Sequence, residues 1–487
     1  FHRIQTYSFE NIDKFSSSSL VTRMTTDVTN VQMAFMMLIR IAIRSPLLLI
    51  FSTVMAFVMG GKLAFVFVVV IPILAFGLLA IGKKAMPAFR SVFKKYDRLN
   101  ESIEENVRGM RVVKGFSREE YEKQKFNTAA DNIRKDFTKA ECIVALNTPL
   151  MNLCMYINMV VVLLVGSKLA ITSGGSALDV GQISGMLTYG MQILMSLMML
   201  SMIYVMVTMS AESAKRICEV LEEEPSLKEP ENPVMEVKDG SIEFKNVNFK
   251  YSAKAKKYAL SDIDLSIRSG MTVGIIGGTG SSKSSLVQLI PRLYDLTEGA
   301  VLVGGVDVRS YDIPTLRSAV AMVLQKNVLF SGTIKDNLRW GNETATDEEI
   351  MEACRLSQAD EFIQTFPDKY DTYIEQGGSN VSGGQKQRLC IARALLKKPK
   401  ILILDDSTSA VDTKTDALIR AGFKNYIPDT TKIIIAQRIA SVEDADLIIV
   451  MDNGSISAAG THEDLLQSSD IYREVYEQQT KGGNENE

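Results

Sequence analysis

The chain has 487 residues, too many for one ordinary domain, and pairs 46% hydrophobic residues with 23% charged ones. Together with a mean hydropathy above zero, that mixture points to an apolar part joined to a soluble part. A net charge of −3 excludes a whole-chain electrostatic case for nucleic acid, and five cysteines without paired spacing (Cys142, Cys154, Cys218, Cys354, Cys390) argue against a disulfide framework or a zinc site.

The chain opens on Phe1 with no basic-then-apolar leader, so a fragment lacking its natural start is expected. Four stretches then carry no charge: Pro46 to Gly61, Leu63 to Gly82, Cys142 to Ser167 and Val180 to Ala211. A bilayer crossing needs roughly 20 apolar residues, and a charge at its centre costs about 2.5–3.5 kcal/mol or more. Spans are therefore predicted at about 38–61, 63–83, 143–167 and 182–210, with cytoplasmic helices over 1–35 and 84–140. The competing reading is a set of buried helices in a large soluble core.

Between the second and third spans runs a basic segment that includes Lys83, Lys84, Lys94, Lys95, Arg98, Arg108, Arg111, Lys114 and Arg118, whereas the outer turns carry little beyond Lys62 and Lys168. Lys and Arg favour the cytoplasmic side, so this loop is expected there. Val92, Tyr96, Leu99, Ile103 and Val107 recur at helical spacing within it, and the stretch Gly115 to Tyr121 breaks the pattern like a turn between two helices.

After the fourth span the glutamate- and proline-bearing stretch 223–238 reads as a linker. Short β-branched runs (Ser241 to Phe244, Thr272 to Ile276, Ala319 to Val323, Ile401 to Leu404, Ile433 to Ile435) then alternate with helical segments. That is an α/β pattern with a buried sheet over 239–480, and 481–487 is expected to be a disordered tail.

The run Val273 to Ile276 leads into Gly277-Gly278-Thr279-Gly280-Ser281-Ser282-Lys283-Ser284-Ser285 and then a helix. A strand, a glycine-rich turn, Lys-Ser and a helix make a phosphate cradle, in which amides face the anion, Lys283 reaches the outer phosphates and Ser284 binds Mg²⁺. Ser282 stands where the usual pattern has glycine. The apolar strand ending in Asp405-Asp406 places an acid where it can hold Mg²⁺ against the phosphates, so Mg²⁺-ATP is the expected ligand.

Between these lies Val381-Ser382-Gly383-Gly384-Gln385, and here the sequence resembles the ATP-binding-cassette (ABC) exporter family, whose signature peptide begins Leu-Ser-Gly-Gly-Gln. The resemblance implies an α-helical transmembrane domain over 1–222 fused to an α/β P-loop nucleotide-binding domain. It further implies adenine stacking by Tyr251, Mg²⁺ contact by Gln325 and Asp405, and a cassette-to-cassette loop at Ser409-Ala410-Val411-Asp412. Phe9 to Phe15 and Leu20 to Arg23 resemble the first cytoplasmic loop of exporters. A complete half of this family has six spans; four are recognised here, so the first two are expected to be missing.

Two positions depart from the family. The residue after the Mg²⁺-binding aspartate is ordinarily glutamate and here is Asp406, one methylene shorter; the switch histidine is replaced by Gln437, which donates a hydrogen bond but carries no charge. Each ATP in the family is held between one cassette's cradle and the other's signature. A heterodimer is therefore expected over a homodimer, with a weak site on Lys283, Asp405, Asp406 and Gln437, and a strong site completed by Ser382 to Gln385 of this chain. The expected partners are a second half-transporter, the lipid bilayer of the cell membrane and a transported drug, lipid, peptide or other small molecule, with the cassette in the cytoplasm. The alternatives are an ATP-binding but non-catalytic regulatory subunit or a truncated exporter remnant, and, from another class, a soluble cassette ATPase of DNA repair or translation, which the fused spans disfavour.

Overall fold

The computed structural model describes residues 1–176, 178–252, 255–406 and 411–484, apart from the side chains of 90, 93, 94, 97, 101, 108, 209, 413, 425 and 481–484. The chain divides into two units: one holds Ser17–Glu223, the other His2–Ser16 with Glu224–Glu487. The short helix α1 (Phe9–Phe15) belongs to the second unit.

The first unit is all helical: α2 (Val28–Met37), α3 (Arg44–Gly60), α4 (Phe65–Arg108), α5 (Met110–Gly115), α6 (Glu119–Ala145), α7 (Asn147–Thr172) and α8 (Val180–Glu222). Among the described residues, three helical stretches are long and apolar enough to cross a membrane, Ser17–Phe89, Glu119–Thr172 and Val180–Glu222. The first is interrupted at Gly61, whose φ of 52° is open to glycine without strain and lets the chain turn between α3 and α4. Helices α4 and α8 have 44 and 43 residues. At 1.5 Å per residue each runs about 65 Å, roughly twice the hydrocarbon thickness, so both must continue far beyond a bilayer they cross.

Local chemistry sets the boundaries. Asp179 and Gln182 exchange side-chain-to-backbone hydrogen bonds of 2.6 and 2.9 Å, a capping box that starts α8. The predicted turn near Gly115 lies at Phe116–Ser117, where Ser117 has φ 51°. Ala56, Phe67, Leu74, Val162, Met186 and Ile193 form the unit's core. A Cβ at Gly60 would meet the thioether end of the Met186 side chain at 2.1 Å, so a larger residue there would have to displace that flexible side chain. Below the core, the wholly buried Asp27 carboxylate accepts from Ser213 Oγ (2.8 Å) and Arg216 Nη2 (2.5 Å) of α8.

Among the described residues the second unit carries two large sheets and a two-stranded ribbon of Gly332–Thr333 and Tyr373–Ile374. The antiparallel one comprises β1 (Ile242–Phe249), β2 (Leu260–Ile267), β4 (Glu298–Val303) and β5 (Val306–Asp307), in the order β2-β1-β4-β5. The other comprises β3 (Thr272–Gly277), β6 (Val320–Val323), β7 (Ile401–Asp405), β8 (Thr431–Ile435), β9 (Leu447–Asp452) and β10 (Ser455–Gly460), in the order β10-β9-β3-β8-β7-β6, with every pair parallel except the antiparallel pair β9–β10. Every residue of β7 and β8 is buried, which is why Ile401–Leu404 and Ile433–Ile435 within them read as apolar runs rather than alternating ones. Burying each isoleucine or leucine contributes about 1.5–3 kcal/mol.

The helices that serve the site are α9 (Lys283–Gln288), α10 (Gly383–Leu396), α11 (Thr413–Tyr426), α12 (His462–Ser468) and α13 (Asp470–Asn484). Of the expected tail 481–487, the first four residues lie within α13 and the rest lie outside the described residues.

Candidate active site

In parallel register, Ile435 lies opposite both Asp405 and Ile275. The C-terminal ends of β3, β7 and β8 therefore finish together, and in such sheets the edge where strands end is where ligands are held. A cleft of about 480 Å³ opens there, lined by Gly277, Gly278, Thr279, Gly280, Ser282, Lys283, Ser284, Ser285, Gln325, Asp405, Asp406 and Gln437. Residues far apart in the sequence are thus brought to one place.

The loop from β3 to α9 depends on glycine. A Cβ at Gly277 would meet the Met451 carbonyl oxygen at 2.3 Å, so a side chain there would push β9 away. Gly280 has φ 85°, and Ser282, the departure from the usual glycine, is left-handed with φ 69°. Lys283 Nζ donates to the carbonyl oxygens of Gly277 and Gly278, both at 2.8 Å, and to Ser281 Oγ at 3.3 Å. Burial lowers the Lys283 pKa, and the charges of Asp405 and Asp406 oppose that shift.

Ser284 Oγ donates to Asp405 Oδ1 at 3.0 Å. A hydroxyl and a carboxylate oxygen so placed, with Gln325 lining the same cleft, fit a small hard cation such as Mg²⁺, which binds through one or two carboxylates plus phosphate and water. Burial raises the Asp405 pKa, countered by the Ser284 hydrogen bond, while the neighbouring Asp406 charge adds to the rise and Lys283 opposes it. Asp406 Oδ2 accepts from Gln437 Nε2 at 2.8 Å and from Gln325 Nε2 at 3.3 Å.

Tyr251 stands beside the loop, half-exposed, with its hydroxyl 2.7 Å from Ser285 Oγ. Its ring meets Tyr294 edge-on at 5.1 Å. Tyr294 in turn donates to Asp13 of α1 at 2.9 Å and packs near Phe9, so the N-terminal helix is seated next to Tyr251. Sequence reasoning missed Tyr294, and no local pattern marks it.

The other sequence-predicted residues lie outside the cleft. Ser382 caps α10, exchanging hydrogen bonds with Gln385 at 2.9 and 3.3 Å, which leaves Gly383 and Gly384 in the first turn. Asp412 caps α11 through the Thr415 N–H at 2.9 Å. Ser409 and Ala410 lie outside the described residues. Gln479 was also missed: it reaches from α13 to the backbone of Gln437. A signal for it existed in the helical spacing of Tyr472, Val475, Tyr476 and Gln479.

A glycine-rich loop feeding a lysine at the end of a parallel sheet, with an acidic strand end beside it, defines a nucleotide-hydrolysing class of site. Here it is fused to long apolar helices. Residues 1–197 match the ABC transporter transmembrane region family and residues 260–409 the ABC transporter family. Over 98% of its length the chain is 38% identical to YfiB, an uncharacterized ABC transporter ATP-binding protein of Bacillus subtilis, covering 82% of that protein. An uncharacterized ABC transporter ATP-binding protein of Mycobacterium tuberculosis is 38% identical over 97% of this chain and 81% of its own. A solved structure of a bacterial Atm1-family ABC exporter with ATP bound matches with a TM-score of 0.87 at 25% identity, across 98% of this chain and 84% of that one. The chain belongs to the ABC transporter family. It is an exporter half in which a membrane domain is fused to an ATPase domain that couples ATP hydrolysis to transport.

Proposed function

We propose that this chain is the weak-site half of a heterodimeric exporter of the cell membrane, moving a drug, lipid, peptide or other small molecule, with its cassette in the cytoplasm. The observation that carries the reading is the pairing of Gln437 with Asp406 at 2.8 Å. A general base must reach the attacking water, and its correct placement is worth about 10²–10⁴-fold in rate. The Asp406 carboxylate is short, and two amide N–H groups already occupy one of its oxygens. An amide supplies neither a titratable proton nor a positive charge for the outer phosphate.

In this reading Lys283 and the loop Gly277 to Ser285 bind the phosphates, while Ser284, Gln325 and Asp405 hold Mg²⁺, which would neutralise phosphate charge. Tyr251 stacks on adenine, and Ser382 to Gln385 with Asp412 serve the partner's site. Closure of the two cassettes around ATP is passed to the spans, and hydrolysis at the partner-dominated site reopens them. Support comes from a cradle and a signature that each depart from the usual pattern at a single residue, Ser282 and Val381, beside two altered catalytic positions. Phosphate release would be measured in membranes with the full-length chain alone, with a partner half bearing glutamate and histidine at the corresponding positions, and with Ser382→Ala. Low turnover alone, strong turnover with the partner and its loss on Ser382→Ala are expected. Brisk turnover by the chain alone would return the reading to a homodimer.

A further inference from the structure

The terminal helix α13 is anchored to the cassette. Tyr472 is wholly buried with its hydroxyl 2.7 Å from His462 Nδ1, Arg473 donates to the carbonyl oxygens of Leu466 (2.8 Å) and Gln467 (3.1 Å), and Val475 and Tyr476 pack against the core. Two helical turns beyond Tyr472, on the same face, stands Gln479. Its Nε2 donates to the Gln437 carbonyl oxygen at 2.8 Å, and its Oε1 accepts from the Ile439 N–H at 2.8 Å. Arg438, between those two peptide groups, is extended at φ −99° and ψ 129°. One side-chain amide therefore does for this loop what a neighbouring strand does in a ladder, meeting the carbonyl before a residue and the N–H after it. The two partners also settle which end of the amide is oxygen, because the reversed orientation would face N–H to N–H and oxygen to oxygen.

We propose that Gln479 is a positioning residue for the nucleotide cleft. By holding the backbone on both sides of Arg438, it sets where the Gln437 side chain meets Asp406, and so how firmly the cleft retains ATP. Glutamine suits the task because it carries a donor and an acceptor on one planar group. Glutamate keeps the acceptor alone, and leucine keeps the shape with neither. The inference needs ATP to occupy this cleft, as the proposed function holds, but not that the cleft be weak in hydrolysis. A brisk own-site ATPase would remove the weak-site reading and leave this one standing.

The test uses the full-length chain with its partner half in membranes, following release of photoactivatable azido-ATP from this chain, identified as the labelled band. Gln479→Leu is expected to speed release about 3- to 10-fold, the effect of losing one or two hydrogen bonds, and Gln479→Glu less. In the Gln437→Ala background, Gln479→Leu should add less than about twofold, because the two residues act through one contact. Wild-type release by Gln479→Leu, or effects that multiply across the two positions, would overturn the proposal, since a merely structural helix contact acts independently of the Gln437 side chain. If Gln479→Leu does not assemble, Gln479→Glu is put through the same cycle and judged by the same non-additivity.

Discussion

The Gln437 side chain donates to Asp406 at 2.8 Å, on the same carboxylate oxygen that Gln325 approaches at 3.3 Å. Asp406→Glu combined with Gln437→His should remove the closer of those two amide donors and lengthen the side chain by one methylene. Phosphate release by the chain alone is then expected to rise by about 10²-fold or more, with either substitution alone giving less. No change in the double variant would sink the weak-site account.

Ser282 occupies a left-handed backbone position at φ 69°. An L-residue there costs about 1–2 kcal/mol, partly offset by the extra chain entropy that glycine would lose on folding. Ser282→Gly is therefore expected to stabilise the cassette by about 0.5–1 kcal/mol, read as a higher unfolding midpoint with ATP binding retained. A lower midpoint would mean that the Ser282 side chain makes a compensating contact.

In the proposed reading Tyr251 stacks on adenine; its hydroxyl lies 2.7 Å from Ser285 Oγ. Tyr251→Ala should weaken ATP binding by about 1–3 kcal/mol, the worth of one stacked base. Tyr251→Phe should keep most of that affinity. Equal losses in the two variants would assign the role to the hydroxyl instead.

Asp27 is wholly buried between Ser213 and Arg216. Its Oδ2 is a buried oxygen without a hydrogen-bond partner, so the arrangement depends on the bonds to Oδ1. Asp27→Ala should cost about 1–3 kcal/mol of stability in the first unit, with Arg216 half exposed and able to rehydrate. A thermal unfolding scan of the solubilised transporter checks this, and an unchanged midpoint would show that Ser213 and Arg216 find other partners.

Burial raises the Asp405 pKa above that of an ordinary carboxylate, with the Ser284 hydrogen bond opposing. A raised folded value means that the folded state prefers the protonated form. The resulting stability is present below the ordinary carboxylate range and is lost as pH rises through the raised value. Mg²⁺ needs the ionised form, so the Mg²⁺-dependent gain in ATP affinity should fall as pH drops into that window, and Asp405→Asn should abolish the gain. A pH-independent gain would place the metal elsewhere.

The apolar stretches, the cradle from Gly277 to Ser285, the acidic strand end and the signature at Ser382 were legible in the sequence because each is a local pattern. Uncharged length dictates a span, period dictates a helix, and glycine spacing dictates a phosphate loop. The expectation that Asp406 and Gln437 depart from the family pattern likewise rested on residue identity alone. What only the tertiary structure decided has no such periodicity. The seating of Asp13 on Tyr294, the burial of Asp27 beneath Arg216, and the reach of Gln479 to the backbone around Arg438 join residues remote along the chain. Contacts of that kind arise when packing brings distant surfaces together, and a one-dimensional pattern carries no record of them. Ser282 lies between the two cases: its identity was visible, but its left-handed backbone, and hence its cost, came only with the folded loop.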